Sequence, residues 1–380
     1  DWTGATQLSG VDFHRNMEPA LDLSGRYATD VFTDEAVNII EEHDTSSPLF
    51  LYLAHLACHA GNIGKLLEAP NDAIDKFGHI MEPNRKTFAG MMLKLDESVG
   101  KVVAALARRN ILNNTLIVFL SDNGAPTLDV GVWRNWGSNY PLRGIKMTPW
   151  EGGLRGVAVL WSYGLESTPR VSTQLMHVSD WLPTLYTAAG GNPADLQSEE
   201  FDGVDQWDAL VYNRPSRRDK ALLYVDEVLN LTAVRSGQWK LVSGSSGAGD
   251  GYSGESVLST TNPQYNPQNV LQSLAGLALA EVKSPLSADD ILQLRKEATV
   301  TCSTSAHNTT CDTRKGSCLF DLSVDPCETN DLSAEHPNHV QELTELFKNY
   351  TATLVPQLNQ PLNPTLADPA RFNNIWSPWQ

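Results

Sequence analysis

The sequence predicts an α/β domain built from parallel strand–helix–strand units, followed by a smaller α+β subdomain of antiparallel sheet plus helix. Three observations carry this reading. The runs LFLYLA and TLIVFL are short and unbrokenly apolar, the pattern of strands covered on both faces. Between them lies a long stretch of helical periodicity, and strand, helix, strand in that order reads as a parallel unit. After Pro215 the character changes to short strand-like segments followed by turn residues, so the boundary is drawn between 1–215 and 216–380.

Taken in order, Thr33 is placed as the cap of a helix through Glu42, with Ala36, Val37, Ile39 and Ile40 on its apolar side. The break at Ser46, Ser47 and Pro48 precedes the first apolar run. From Thr87 to Asn110, Phe88, Met91, Met92, Leu95, Val99, Val102, Val103 and Leu106 keep the three-and-four spacing of one helical stripe. Gly156 to Trp161 reads as a further strand. A helix follows, with Ser179 or Asp180 as cap, Pro183 in its first turn and Gly190-Gly191 at its end. In the second part, AVRSGQWKLV and CLFDLSV read as antiparallel strands, and His339 to Leu354 as an amphipathic helix. The glycine- and serine-rich stretch 243–254 between those strands reads as a flexible surface loop, and the proline-rich tail 356–380 as a surface wrap.

Composition narrows the function. The 380 residues are 41% apolar and carry 45 acids against 28 bases, a formal charge of −17. That balance argues against nucleic acid and anionic lipid as partners, while leaving room for a small anionic substrate in a local basic pocket. The longest apolar run, Leu49 to Ala60, is twelve residues with two histidines, short of a membrane span. Sequons at Asn113, Asn230, Asn308 and Asn349 lean toward the secretory pathway. Cys302, Cys311, Cys318 and Cys327 are spaced without the C-x-x-C pairs of zinc ribbons, so two local disulfides are expected. Cys302–Cys311 and Cys318–Cys327 are the favoured pairs of the three possible pairings. The chain opens on Asp1 with no signal segment, which points to sequence upstream.

No G-x-S-x-G elbow, G-x-x-x-x-G-K-[ST] phosphate loop or H-E-x-x-H pair is present. What remains are polar residues at strand ends, where open α/β sheets place their ligands. Asp122-Asn123-Gly124 follows LIVFLS; carboxylate and amide oxygens side by side are hard ligands for Ca²⁺ or Mg²⁺, although the same triplet is an ordinary turn. His59 stands just past the first apolar run, after Cys58. Lys146 lies in PLRGIKMTPWEGGLRG, where Arg143, Glu151 and Arg155 offer an ion-pair network that would hold the loop. Singly, each has an unremarkable structural explanation.

In their order and surroundings, these segments resemble the type I sulfatase family, most closely the arylsulfatase B (N-acetylgalactosamine-4-sulfatase) group. PLFLYLAHLACHA, SDNGAPT, YPLRGIKMTPWEGGLRG, HVSDWLPTL, LFDLSVDPCETNDLS and the terminal IWSPW carry the resemblance over nearly the whole chain. It implies the alkaline-phosphatase/sulfatase-like mixed sheet, with 1–215 as the later portion of the catalytic domain. Asp122 and Asn123 are implied as ligands of one divalent cation, usually Ca²⁺, and His59 and Lys146 as contacts to the sulfate. The implied function is hydrolysis of aryl or sugar sulfate esters, in the lysosome or outside the cell, with a sulfated small molecule or glycan as substrate. A cation and an ammonium suit the charge that spreads over sulfuryl oxygens, and a histidine suits protonation of the departing alcohol.

The family's nucleophile is a formylglycine made from the cysteine of C-x-P-S-R, and none of the five cysteines here begins that motif. The family's N-terminal Asp pair, lysine and histidine also lack counterparts. The chain therefore resembles a sulfatase without its N-terminal part, and negligible activity is expected of it alone. Two other readings are a two-zinc phosphatase or phosphodiesterase of the alkaline-phosphatase superfamily, which a lone Asp-Asn pair plus lysine suits less well, and a secreted protein that binds sulfated glycans without cleaving them. The loop Leu128 to Asn139, with Trp133 and Trp136, is a candidate rim for a sugar or aryl ring. The sequence leaves the oligomeric state open.

Overall fold

A computed structural model describes residues 2–3, 8–62, 64–129, 134–196, 201–254, 263–302, 310–356, 358, 361 and 363–378. The chain divides into two compact units, one of 1–109, 133–137 and 355–380, the other of 110–132 and 138–354.

In the first unit, α1 (Ala28–Glu42), α2 (Asn71–Asp75) and α3 (Pro83–Arg108) pack around Val31, Ala36, Ile40, Ala73, Met91 and Val103. The expected cap of α1 is displaced: Tyr27 is the boundary residue, and Thr33 lies inside the helix. Its hydroxyl has a closer partner than a helix end, the Thr29 carbonyl one turn back at 2.6 Å, and it meets Ser98 Oγ at 2.7 Å. α3 begins four residues before the predicted start because Glu82 caps the Arg85 amide and Pro83 opens the first turn. LFLYLA is assigned to no strand among the described residues, so the expected strand–helix–strand unit lacks its first strand. Phe50 and Tyr52, on one side of it, are 79% and 82% exposed. The tail returns to this unit, where Trp376 donates its amide to Val11 O at 2.9 Å.

In the second unit, β1 (Leu116–Leu120) pairs with β2 (Ala158–Ser162), and the pairing is antiparallel, Leu116 opposite Ser162. Short helix α4 (Glu151–Leu154) precedes β2, and α5 (Trp181–Ala188) follows it. The predicted antiparallel sheet is present with four strands, β3 (Lys220–Asp226), β4 (Leu231–Ser236), β5 (Trp239–Ser243) and β6 (Cys318–Asp321), in the order β6-β5-β4-β3. The two-residue period separates its faces. Val234, Leu241 and Leu319 pack on Leu343 of α6 (Pro337–Thr351), whereas Ala233, Val242 and Phe320 pack on Trp150. The second contact ties the sheet to the loop carrying Lys146.

The disulfides are Cys302–Cys327 and Cys311–Cys318, not the pairs favoured from spacing. The reason lies in β6: Cys318 opens the strand opposite Val242, and the turn leading into it brings Cys311 back within 5.8 Å, Cα to Cα.

Candidate functional site

The β1–β2 pairing continues past Leu120. Ser121 donates its amide to Val157 O at 2.9 Å, and Ser121 Oγ accepts from Val157 N at 2.9 Å. The chain leaves the strand directly afterwards, which sets Asp122-Asn123-Gly124 at its carboxyl end. Asp122 is exposed, and its Oδ1 accepts the Asn123 amide at 2.8 Å. Asn123 Nδ2 donates to Gly124 O at 2.9 Å. The turn thus carries a carboxylate and an amide oxygen on adjacent residues, both hard oxygen donors.

The Lys146 loop is fastened to this turn by backbone. Gly124 N donates to Gly153 O at 2.9 Å, and Lys146 N to Ala125 O at 3.3 Å. Asn139 clamps both segments, accepting from Ala125 N at 2.7 Å and donating to Ala125 O at 2.8 Å and Gly144 O at 3.2 Å. Such close approach requires glycine: a Cβ on Gly124 would be driven into the Gly152 carbonyl. Gly144 has φ +86°, and a Cβ there would lie 2.5 Å from that of Trp150. Asp122, Asn123 and Lys146, singled out separately from the sequence, thus stand on two segments joined within one unit.

His59 belongs to the first unit. It is exposed, its amide donates to Leu56 O at 2.9 Å, and Nδ1 lies 2.7 Å from Ala60 O. A proton on Nδ1 satisfies that carbonyl and fixes the tautomer of the ring. In the same unit, Cys58 Sγ lies 3.0 Å from Met92 Sδ, and burial pushes its thiol up to about 12. Trp133 lies outside the described residues. Trp136 carries the Arg134 guanidinium 4.8 Å over its ring and accepts from Arg85 Nη1 through its carbonyl.

The expected ion-pair network exists with different partners. Glu151 Oε1 pairs with Lys240 Nζ at 2.8 Å, and Lys240 also lies 2.8 Å from Glu328 Oε1. Glu328 Oε2 accepts the Glu151 amide at 2.7 Å. Burial opposes the Glu151 charge, but Lys240 overrides it and holds the carboxyl below its usual range. Arg143 stacks 3.6 Å over the Trp150 ring and donates to the carbonyls of Asp250, at 2.7 Å, and Glu328, at 3.3 Å. The stretch 243–254, read from sequence as a surface loop, supplies part of this bracing, because Trp150 Nε1 donates to Asp250 Oδ1 at 2.7 Å. Asn139, Asp250, Lys240 and Glu328 were not singled out from the sequence; apart from an Asp in a glycine-rich run, nothing local marks them.

An α/β chain with a hard-oxygen turn at a strand end, clamped to a lysine loop, belongs to a definable class. A family model described as Sulfatase matches residues 3–191, and the chain belongs to the sulfatase family. Among curated proteins it is similar to Arylsulfatase J of Mus musculus, 31% identical over 98% of this chain and 56% of that protein. It is also similar to N-acetylgalactosamine-6-sulfatase of Mus musculus, at 32% over 56% of this chain and 38% of the relative, and to Arylsulfatase A of Bos taurus, at 32% over 56% and 38%. The chain therefore spans little more than half the length of Arylsulfatase J. Among solved structures the fold is shared with Ps i-CgsB in complex with k-i-k-neocarrahexaose, TM-score 0.60 and 24% identity over 90% of this chain and 58% of that one. It is shared too with an enzyme solved with its substrate D-glucosamine-2-N,6-O-disulfate, TM-score 0.50 and 14% identity over 86% and 69%.

Proposed function

We propose that this chain is the larger part of an arylsulfatase-type sulfuric ester hydrolase that acts on aryl or sugar sulfates. The observation that carries the reading is the backbone lock between the Asp122-Asn123 turn and the Lys146 loop. Asp122 and Asn123 fit a hard cation such as Ca²⁺, since both offer oxygen at one turn, but they supply only two of the about six to eight oxygens that ion takes. Among the described residues no cluster of three or more acidic, histidine or cysteine ligands forms. The rest of the shell would come from outside this chain's described residues. When bound, the cation would offset charge on the sulfuryl oxygens.

The chain's own residues would do the following. Lys146 offsets sulfuryl charge with its ammonium, and its half-buried position strengthens that attraction over one in bulk water. His59 protonates the departing alcohol oxygen from its imidazole ring. The nucleophile is assigned to a formylglycine beyond these 380 residues. Four cysteines are held in disulfides, and the half-buried Cys58 thiol, its pKa pushed up to about 12, is a poor source of thiolate.

Sulfated sugars suit the reading because relatives and a solved neighbour are named for them; the arylsulfatase B-like choice rests on the sequence segments above. A lysosomal or extracellular location is supported by the two disulfides and by the exposed sequon residues Asn113, Asn230 and Asn349. Asn308 lies outside the described residues.

The test is turnover of 4-nitrophenyl sulfate, with calcium content measured alongside. The expected result is negligible turnover by the 380-residue chain and robust, calcium-dependent turnover by a longer form carrying C-x-P-S-R. Robust turnover by the 380-residue chain refutes the part assigned to the missing nucleophile, and two zincs per longer chain refute the sulfatase reading.

A further inference from the structure

The stretch Ser245–Tyr252 is hydrogen-bonded to the Lys146 loop at several points. Asp250 Oδ1 accepts from Trp150 Nε1 at 2.7 Å and from Ser246 N at 3.1 Å, and Oδ2 accepts from Ser245 Oγ at 2.7 Å. Its carbonyl takes Arg143 Nε at 2.7 Å, and the next carbonyl, of Gly251, takes Gly144 N at 2.9 Å. Trp150 is fully buried, so its indole N–H has no water to fall back on. Two residues beyond Gly251, Ser253 Oγ meets Thr127 Oγ1, which fastens the same strap to the Asp122-Asn123 segment as well. A Cβ on Gly249 would lie 2.9 Å from Thr148 Cγ2, so strap and loop run in close contact.

We infer that Asp250 is a positioning residue for the sulfate-ester site: by holding Trp150 and Arg143 it sets the Lys146 loop, and through Gly153 and Asn139 the Asp122-Asn123 turn. The inference rests on the site reading given above. Asp250 acts through the loop, not by touching substrate or cation. Substrate-binding loops without such bracing open locally at low free-energy cost, and a site needs its groups held to within a fraction of an ångström.

The test is hydrogen–deuterium exchange on the 380-residue chain, comparing Asp250→Ala, Asp250→Asn and Trp150→Phe. Asn keeps an acceptor for the indole, and Phe keeps the ring while removing the donor, so the same hydrogen bond is probed from both ends. The expected result is exchange faster by about tenfold or more at Gly124, Gly144 and Lys146 in Asp250→Ala and Trp150→Phe. Sheet amides of 231–243 should stay within about twofold of the parent, and Asp250→Asn should behave as the parent. Should Asp250→Ala fail to fold, Trp150→Phe and Asp250→Asn decide the matter. Unchanged exchange in 122–127 and 143–153, or an equal rise throughout the sheet, overturns the inference. The site reading fails separately: it falls if Asp122→Ala and Lys146→Ala in a sulfatase-active form leave turnover intact.

Discussion

Lys240 Nζ and Glu328 Oε1 meet at 2.8 Å with both side chains withdrawn from solvent, beneath the helix turn that follows the Lys146 loop. Glu151 shares the same ammonium, so one cation serves two buried carboxylates. Burial first, and then the neighbouring Glu151 charge, push the Glu328 carboxyl up to about 7, although Lys240 pulls the other way. The odd charge of the triad is therefore removed at mildly acidic pH by a proton on Glu328.

That arrangement gives stability a pH dependence of definite sign. A carboxyl whose folded value lies above its unfolded one binds more protons in the native state, so its contribution is complete below the unfolded value of 4.5 and is lost as pH rises through about 7. Glu151, held low, works in the opposite sense and only as pH falls below the same 4.5. Within those limits burial also holds the His55 and His177 imidazoles below their usual value, which works against Glu328 as pH falls, so the Glu328 share is read by difference. From pH 7.5 to 5.5 the melting temperature of the parent should gain ~2 °C or more relative to Glu328→Gln. Parallel melting curves of parent and Glu328→Gln over that interval would contradict the assignment.

Removing the shared cation is the harsher change. Lys240→Met fills similar volume but strips two buried carboxylates of their shared cation, and breaking a buried pair in this way costs ~3–5 kcal/mol. Urea unfolding should show a midpoint lowered accordingly. The double variant Lys240→Met with Glu328→Gln should recover part of the loss, because one of the stranded charges is gone. Equal stability of single and double variants would mean that the three groups are not coupled.

How far these features were legible in the sequence follows from the range of the forces involved. Helix α3 and the antiparallel sheet were readable because periodicity is local, and Asp122, Asn123 and Lys146 stood out through strand ends and family-like segments. Lys240 did not: in Trp239-Lys240-Leu241-Val242 a lysine between apolar residues reads as the solvent side of a strand. Only the packing of Trp150 and Glu151 onto that face makes it interior. The disulfide pairing was likewise decided by the turn before β6, and the pairing direction of β1 by a distant partner, Ser162 opposite Leu116. Thr33 shows the reverse error, since its composition suits a cap while an available carbonyl one turn back decides its actual bond.

The contact between the two site segments leaves no room for a methyl group at Gly124. Gly124→Ala forces the Gly152 carbonyl away and breaks the bond from Gly124 N to Gly153 O, with an overpacking cost of ~1–3 kcal/mol. Gly78→Ala, where a Cβ meets nothing within 4 Å, is the matched control and should stay within ~0.5 kcal/mol of the parent. Thermal unfolding of both variants checks this, and a neutral Gly124→Ala would mean the segments are not in contact.

The site residues themselves separate by the parameter each should change in a sulfatase-active form. Asp122→Ala removes a hard oxygen from the Asn123 turn, so calcium content and turnover should fall together, with partial recovery at high calcium. Lys146→Ala leaves calcium content intact and lowers kcat by about tenfold or more, since its ammonium acts on charge that develops in the transition state. His59→Ala should likewise lower kcat by about tenfold or more, but unevenly across substrates. An aryl sulfate whose phenol leaves readily needs little protonation, whereas a sugar alkoxide needs it fully, so the loss should be larger for a sugar sulfate. Equal losses on both substrates would remove His59 from the role of acid, and full activity of any one variant would remove that residue from the site.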